Sequence, residues 1–424
     1  MLDIKEIREN PDLFQKAADA KGCKISIDDL LHLDEQRRKL SGDSDSLRMK
    51  LKEGNQKIRS LNNEEKPAHI QSMKAISNQV KELDIQLKEV QQSYDDLMLR
   101  VPSPMDPSVP IGKDDRDNVV IDSWGDIPEF DFNPKSHVML GDELDLMDIE
   151  RGVKLSGTRF YYLKNEGTLL ELAVMRYALD FLMGRGFTPM TVPVLVREHA
   201  MMGTGYFPGG EDQAYKMKDD DLYLVGTAEV SLDSYHYDEI LDKSDLPIKS
   251  AAWSNCFRRE AGTYGKDTHG LYRIHQFMKV EQVIVMEEDD EKSLQMLDYL
   301  LSNATDFLQS LGIPYQVVAV CSGDMGQGQV KKYDINSWMP SRNEYCETHS
   351  ASMFKSFQAK RLKLRYKDEN GKNKTCYTLN NTLIASPRIL IPLLELNQTI
   401  DGTIKIPKVL VPYMNGIEEI RPKE

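Results

Sequence analysis

Two hydrophobic spacings divide the chain. Between residues 33 and 97 apolar side chains recur every seven positions. Leu33, Leu40 and Leu47 are joined by Leu51 and Ile58, then Met73, Val80, Leu87 and Tyr94 run beside Ile76, Leu83, Val90 and Leu97. A seven-residue repeat keeps one helical stripe facing a partner. Two such helices, separated by Asn62, Asn63, Glu64, Glu65, Lys66 and Pro67, predict an antiparallel coiled-coil hairpin over about 28–100. At 1.5 Å per residue the arm is roughly 45–50 Å long. Gly42, Ser44 and Gly54 weaken the first helix, each glycine costing about 1 kcal/mol against alanine, so it is expected to be the less regular of the two. Residues 1–25 read as a short helical lead-in with Ile4, Ile7 and Leu13 as its contacts.

Beyond residue 100 the spacing changes. VPSPMDPSVPIGKDDRDN, residues 101–118, has closely spaced prolines followed by charge, which reads as an extended linker. The chain thus divides into a helical arm (1–105), a linker (106–118) and a larger domain (119–424) of mixed periodicity. Leu172, Met175, Leu179 and Leu182 predict a helix over 166–184, stopped by Gly184 and Gly186. The strand FTPMTVPVLV follows, its Pro189 and Pro193 suited to an edge because they lack N–H groups. DLYLVGTAEVSL predicts a strand with Thr227 and Glu229 on one face, and a helix near 288–311 ends at Gly312 and Pro314.

The stretch 251–286 carries the densest chemistry. Ser254, Cys256, Arg258 and Glu260 alternate with Trp253, Asn255, Phe257 and Arg259; Arg273, His275, Phe277, Lys279 and Glu281 alternate with Ile274, Gln276, Met278 and Val280. Strand side chains alternate between faces, so each run can turn one face to a ligand. The loop between them has Gly262, Gly265 and Gly270 for bends and Lys266, Asp267, Thr268 and His269 for polar contacts. An ordinary hairpin with a solvated charged face is the plain alternative. Phe277 inside the charged row speaks against it, as does the repetition of Arg258 and Glu260 by Arg273 and Glu281.

Composition narrows the partners. The net charge of −14 leaves no global basic field, so any nucleic-acid contact must rest on local charge. Five dispersed cysteines without a C-x-x-C pair argue for a reducing compartment and against a disulfide framework or a thiolate zinc site. No apolar run is long enough to span a bilayer, and the N-terminus is charged from its third residue, so a soluble cytoplasmic protein with no membrane partner is expected.

FRRE followed by the loop and RIHQFMKVE resembles motif 2 of the class II aminoacyl-tRNA synthetases, in the form found in seryl-tRNA synthetases. The helix and proline-bearing strand near 166–196 resemble motif 1, which builds the dimer interface in that class. T-A-E-V at 227–230, the segment around Glu347 and Ser350, and LNNTLIASPRILIPLLE with Arg388 complete the likeness in the family's order. The resemblance implies an α+β fold: a six- or seven-stranded antiparallel sheet flanked by helices, carrying the N-terminal coiled-coil arm, in a homodimer. It implies ATP-dependent activation of L-serine to seryl-adenylate and transfer to the 3′ end of tRNA(Ser), and leaves open whether tRNA(Sec) is charged as well.

By the same resemblance, Arg258 bridges the serine carboxylate and the α-phosphate, Glu260 meets the adenine edge, Phe277 stacks on its ring and Arg273 joins the ATP-binding set. Glu347 and Ser350 hold Mg²⁺ against phosphate oxygens, and Arg388 neutralises the γ-phosphate; Arg258, Arg388 and Glu347 are the catalytic set. Thr227, Glu229, Arg258, Glu281 and Thr382 form the serine pocket, Glu281 reading the hydroxyl. The arm, with Lys39, Arg48, Lys50, Lys52, Lys57, Arg59, Lys66, Lys74, Lys81 and Lys88, lies along tRNA.

The family pattern is not matched everywhere. Asn381 and Thr382 replace smaller residues before motif 3, Pro387 fits a first helical turn, and Pro392 is expected to kink the last helix. His349 is expected to pack behind the site. Two rivals are a paralogous ligase that passes an adenylated amino acid to a carrier protein, decided by an aminoacylation assay, and a binding module without activity, marked by loss of ATP binding.

Overall fold

The computed structural model describes residues 2–262 and 270–422. Gly265, Lys266, Asp267, Thr268 and His269, expected to bend and line the loop, lie outside the described residues. The chain divides into two compact units, Met1–Pro104 and Met105–Glu424.

The first unit is helical: α1 (Ile4–Glu9), α2 (Pro11–Ala20), α3 (Ile27–Lys57) and α4 (Lys66–Arg100). Ser26 caps α3, its hydroxyl accepting from the Asp29 N–H at 3.1 Å. At the tip Asn62 Oδ1 accepts from the Glu64 and Glu65 N–H groups, and Pro67 occupies the first turn of α4, where no N–H is needed. The heptad positions form the seam, Val80 and Tyr94 fully buried and the others half-buried, as a two-stranded coil without a third layer requires.

The expected irregularity of α3 is not found: it runs unbroken for 31 residues. Two of its three small residues, Ser44 and Gly54, meet α4, whereas Gly42 is exposed with open space around it. A Cβ at Gly54 would fall 2.1 Å from Met73 Sδ, and the Ser44 hydroxyl donates to Asp84 Oδ1 at 2.9 Å. Close approach offsets the weaker helix propensity. In the lead-in Ile7 and Phe14 are buried, whereas Leu13 is half exposed, because α2 turns the neighbouring position inward.

The second unit is built on an eight-stranded sheet: β1 (Val119–Trp124), β2 (Thr188–Met190), β3 (Ile248–Phe257), β4 (Gln276–Met286), β5 (Tyr315–Ala319), β6 (Lys331–Met339), β7 (Glu344–Lys355) and β8 (Tyr377–Ser386). The spatial order is β1-β5-β6-β7-β8-β4-β3-β2. This corrects the expected six or seven antiparallel strands: there are eight, and the edge pairing of β2 with β3 is parallel. Pro189 sits on that edge strand, as its missing N–H demands. The predicted strand over 187–196 is broken, Leu195–Val196 pairing instead with Tyr223–Leu224 in a separate small sheet.

Helices α5 (Asn165–Met183), α6 (Glu229–Asp233), α7 (Asp290–Leu311) and α8 (Leu390–Leu396) complete the frame. Asp289 caps α7, and Gly312, at φ +71°, ends it. Leu170, Val174, Ala178 and Leu182 of α5 and Leu300, Ala304, Phe307 and Leu311 of α7 share one core with Val280, Ile284, Ile335, Met353 and Leu379 of the sheet. Leu172, expected on the inner face of α5, is exposed. The sheet therefore has an apolar face against helices and, by alternation, an opposite face free for chemistry. Pro392 does not interrupt α8. The helix begins only at Leu390, so Pro392 falls in its first turn, and Pro387 lies before it.

Candidate active site

Register decides which side chains share the chemical face. Strands β3 and β4 pair with Cys256 opposite Phe277, Ser254 opposite Lys279 and Ala252 opposite Glu281. On the far side of β4, Glu281 faces Thr382 of β8, and Ser352 of β7 faces Asn380. In β7 and β6, Ser350 lies opposite Asp334 and Glu347 opposite Asn336. Residues 347 and 350 are an odd number apart and would point to opposite faces of a regular strand. A register shift after Ile335 sets Thr348 out of step, and this bulge returns Glu347 to the face of Ser350.

Two cavities open on this face, with about 590 Å³ and about 750 Å³ of empty space including their mouths. Arg258, Lys279, Ser350 and Thr382 line both. The first holds Glu260, Tyr272, Arg273, Phe277, Glu347 and Arg388; the second holds Tyr206, Glu229, Glu281, Gln329 and Asn380. The hairpin reading thus holds for Phe277, Lys279 and Glu281, which lie within β4. Arg258 and Glu260 lie past the end of β3, and Arg273 and His275 precede β4. A backbone bond from the Arg258 N–H to the His275 carbonyl, 2.9 Å, keeps the two ends together.

The first cavity is lined by cations. Arg388 donates from Nη1 to the Glu347 carbonyl at 2.9 Å and from Nε to the Tyr272 carbonyl at 3.2 Å, and its guanidinium lies 4.3 Å from the Tyr272 ring centre. Such backbone anchors fix the fork while leaving other donors to point outward. Arg258 is held by the Gly226 carbonyl at 3.3 Å and stands 5.3 Å from the Phe277 ring centre. Arg273 donates to Glu260 Oε2 at 2.7 Å, so Glu260 serves at least to hold that guanidinium. Burial raises the Glu347 carboxyl pKa, but Arg388, Lys332, Arg258 and Arg273 outweigh this and hold it below the usual range. Glu347 is therefore an anion with half its side chain exposed.

The second cavity is lined by carboxylates. Glu229 accepts from Gln358 Nε2 at 2.7 Å and from the Tyr206 hydroxyl at 3.1 Å. Burial, reinforced by Glu281 and opposed by Lys279, pushes Glu229 up to about 7. Glu281 is ion-paired with Lys279 and accepts from the Thr382 hydroxyl at 3.4 Å. The strand expected to carry Thr227 and Glu229 is absent. Glu229 opens α6, and the Thr227 hydroxyl, buried away from both cavities, accepts from the Glu229 N–H at 3.2 Å. The β-branched neighbours suggest a strand, but tertiary packing selects a helical turn.

Sequence reasoning missed several residues here. Lys279 was readable in the alternating row, but its pairing with Glu281 was not. Tyr272, packed between Arg388 and Arg342, gave no periodic sign. Asp233, one turn beyond Glu229 on α6, is buried with both carboxyl oxygens lacking partners; burial, Glu229 and Glu281 push it well above the usual range. Asp334 is buried beside Lys332, which donates to Oδ2 at 2.9 Å, and burial raises it to about 6, with Lys332 opposing and Glu347 adding. His349, expected behind the site, is buried yet lines the first cavity; it is bonded to the Thr348 hydroxyl at 2.7 Å and lowered by burial to about 4. Asn381 points to the helix side, donating to the Leu300 carbonyl at 2.7 Å, so this departure from the family pattern does not enter the cavity.

Glu347 and Ser350 offer hard oxygen donors on one face. Among the described residues no three His, Cys, Asp or Glu gather into a metal-holding group. This donor set suits a cation that completes its shell with phosphate oxygens, as Mg²⁺ does. No helix among the described residues is long and apolar enough to cross a membrane.

An antiparallel sheet with a cation-lined and a carboxylate-lined cavity sharing one arginine defines a class II synthetase core, and residues 215–397 match the family model "tRNA synthetase class II core domain (G, H, P, S and T)". Residues 1–104 match the model "Seryl-tRNA synthetase N-terminal domain". The serine–tRNA ligase of Deinococcus radiodurans is 44% identical over 99% of this chain and 98% of its own length, and that of Clostridium tetani 42% identical over 99% and 100%. The crystal structure of seryl-tRNA synthetase from Pyrococcus horikoshii complexed with ATP superposes with a TM-score of 0.91 at 39% identity, covering 100% of both chains. The chain belongs to the seryl-tRNA synthetase family, ligases that activate L-serine with ATP and Mg²⁺ and charge tRNA(Ser).

Proposed function

We propose that the two cavities are the nucleotide and serine halves of one adenylation site, joined at Arg258. The observation that carries this reading is that Arg258 lines both, with cations on one side and carboxylates on the other. ATP occupies the first half, its adenine on Phe277 beside Glu260, its phosphates within reach of Arg258, Arg273 and Arg388. Glu347 and Ser350 hold Mg²⁺, which when bound neutralises phosphate charge. Serine occupies the second half. Glu229 takes the ammonium, since Glu281 is already compensated by Lys279, and Glu281 with Thr382 reads the hydroxyl. Thr227 acts through Glu229 by fixing its backbone. Arg258 holds the serine carboxylate against the α-phosphate, and positioning with charge neutralisation drives the attack without a protein base.

Residues 1–105 serve as the tRNA(Ser)-binding arm, 106–118 as linker and 119–424 as the catalytic domain, in a cytoplasmic homodimer. All the arm's lysines and arginines named above except Lys66 are exposed, and Arg48 and Lys52 of α3 and Arg59 in the turn after it line one groove with Asn55 and Gln56. The test is pyrophosphate exchange across the twenty amino acids, with tRNA charging in the same preparation by wild type and by a variant carrying Arg48, Lys52 and Arg59→Ala. Exchange with serine alone is expected, with charging weakened in the variant and its salt dependence lowered by about one unit of slope per cation removed. Exchange with another amino acid, or unchanged charging by the variant, contradicts the assignment.

A further inference from the structure

We infer that His137 is a positioning residue for Arg388, acting through the backbone of Leu271 and Tyr272, an inference that rests on the assignment of Arg388 to the ATP phosphates. His137 opens the short helix His137–Glu143; it is buried and lines neither cavity. Its ring nitrogens meet different partners. Nδ1 stands 2.7 Å from Glu395 Oε1, and Nε2 lies 3.2 Å from the Leu271 backbone nitrogen. Glu395 also accepts from the His137 N–H at 2.9 Å and from the Ser341 hydroxyl and N–H at 2.7 and 2.9 Å. Burial raises its pKa, but these donors outweigh it and hold the carboxyl below the usual range. A carboxylate can only accept, and the Leu271 N–H can only donate. The ring therefore carries its proton on Nδ1 and turns a lone pair at Nε2 to Leu271.

The contacts close a circuit. Glu395 lies in α8 and Arg388 just before it, and Arg388 Nε donates to the Tyr272 carbonyl at 3.2 Å. Residues 271 and 272 are thus pinned at two points, the Leu271 N–H by His137 and the Tyr272 carbonyl by Arg388, and both pins lead back to 388–395. Leu271 is fully buried, so loss of Nε2 strands its N–H and displaces the carbonyl on which Arg388 rests. The other anchor of Arg388, the Glu347 carbonyl, does not involve His137, so the fork shifts without coming free. The chain leaves room for the ring at this point: a Cβ at Gly270, whose φ is +80°, would fall 2.4 Å from His137 Nε2. A histidine present only to fasten its helix to α8 needs Glu395 alone. The close approach at Gly270 is what ties it to the phosphate side.

The test is pyrophosphate exchange by the whole chain at varied ATP and varied serine, in wild type, His137→Leu, His137→Gln, Arg388→Ala and the double variant His137→Leu with Arg388→Ala. Leucine keeps the bulk of the ring without its nitrogens, whereas glutamine keeps one donor and one acceptor. His137→Leu is expected to raise the KM for ATP about tenfold, below the ~10²-fold that a 1 Å misplacement can cost, while the KM for serine holds. A loss of folded protein alone would lower kcat and move neither KM. His137→Gln is expected to recover most of the loss. In the Arg388→Ala background His137→Leu is expected to cost no more than about twofold further, because residues that act through one another do not add. An unchanged KM for ATP in His137→Leu overturns the inference, as does an equal rise for both substrates, His137→Gln as impaired as His137→Leu, or the full loss repeated in the Arg388→Ala background. If His137→Leu fails to fold, Gly270→Ala, which drives the ring from Leu271, is read in the same way, alone and with Arg388→Ala. ATP kinetics unchanged in Arg388→Ala would instead remove the phosphate assignment on which the inference rests, and the inference with it.

Discussion

The two halves of the cavity are built from the same sheet face and carry opposite electrostatics. On one side Arg258, Arg273 and Arg388 hold Glu347 below the usual carboxylate range. On the other, burial pushes both Glu229 and Asp233 upward, reinforced at Glu229 by Glu281 and at Asp233 by Glu229 and then Glu281. The difference follows from what each half must receive. A triphosphate brings several negative charges and needs fixed donors around an open mouth, whereas a zwitterion's ammonium needs one carboxylate that is desolvated and poised. Arg258 can serve both halves because the phosphate and the serine carboxylate are both anions.

Substitutions that fall in one half sharpen this contrast. Glu281→Ala removes the acceptor that reads the hydroxyl and strands Lys279, and serine-dependent pyrophosphate exchange is expected to fall by up to ~10⁴-fold with ATP affinity nearly unchanged. Retained exchange would move specificity elsewhere. Arg388→Ala is expected to cost roughly 10²–10³ in exchange rate while serine affinity holds, since it removes one preorganised phosphate donor. Kinetics at varied ATP and serine separate the two.

A smaller effect comes from pH. Glu229 must be ionised to hold an ammonium, and with its folded value near 7 the carboxylate is lost as pH falls through that point. Serine affinity should therefore drop by about tenfold per unit below pH 7, whereas Glu347 remains ionised throughout. Titrations with serine from pH 8 to 5.5 check this, and a flat profile would remove Glu229 from the ammonium site. The least effect on catalysis is expected far from the cavity. Gly54→Ala places a Cβ 2.1 Å from Met73 Sδ, a flexible side chain that can turn aside, and gains about 1 kcal/mol of helix propensity, so the arm's thermal melt should move by no more than about 1 kcal/mol, with exchange unchanged.

What could be read from the chain depended on the range of the pattern. Heptads and the alternation through Phe277, Lys279 and Glu281 are local, and both appear in the structure as read. The common face of Glu347 and Ser350 could not follow from alternation, because the bulge at Thr348 that creates it is a property of the pairing with β6. Asp334, Tyr272 and Asp233 were illegible for a related reason: each gains its meaning from neighbours distant in sequence. The turn at Thr227–Glu229 was misread as a strand because local preference there is overruled by packing against Tyr206 and Gln358. Ser44 and Gly54 of α3 were read as defects, and are instead close-contact points of the seam, while Gly42 faces open space.

The most direct test of a single site joined at Arg258 is calorimetric titration of serine and of ATP, separately, into wild type and Arg258→Ala. The account predicts that the variant loses affinity for both ligands. Loss of one with the other unchanged would mean that the two cavities do not meet at this residue.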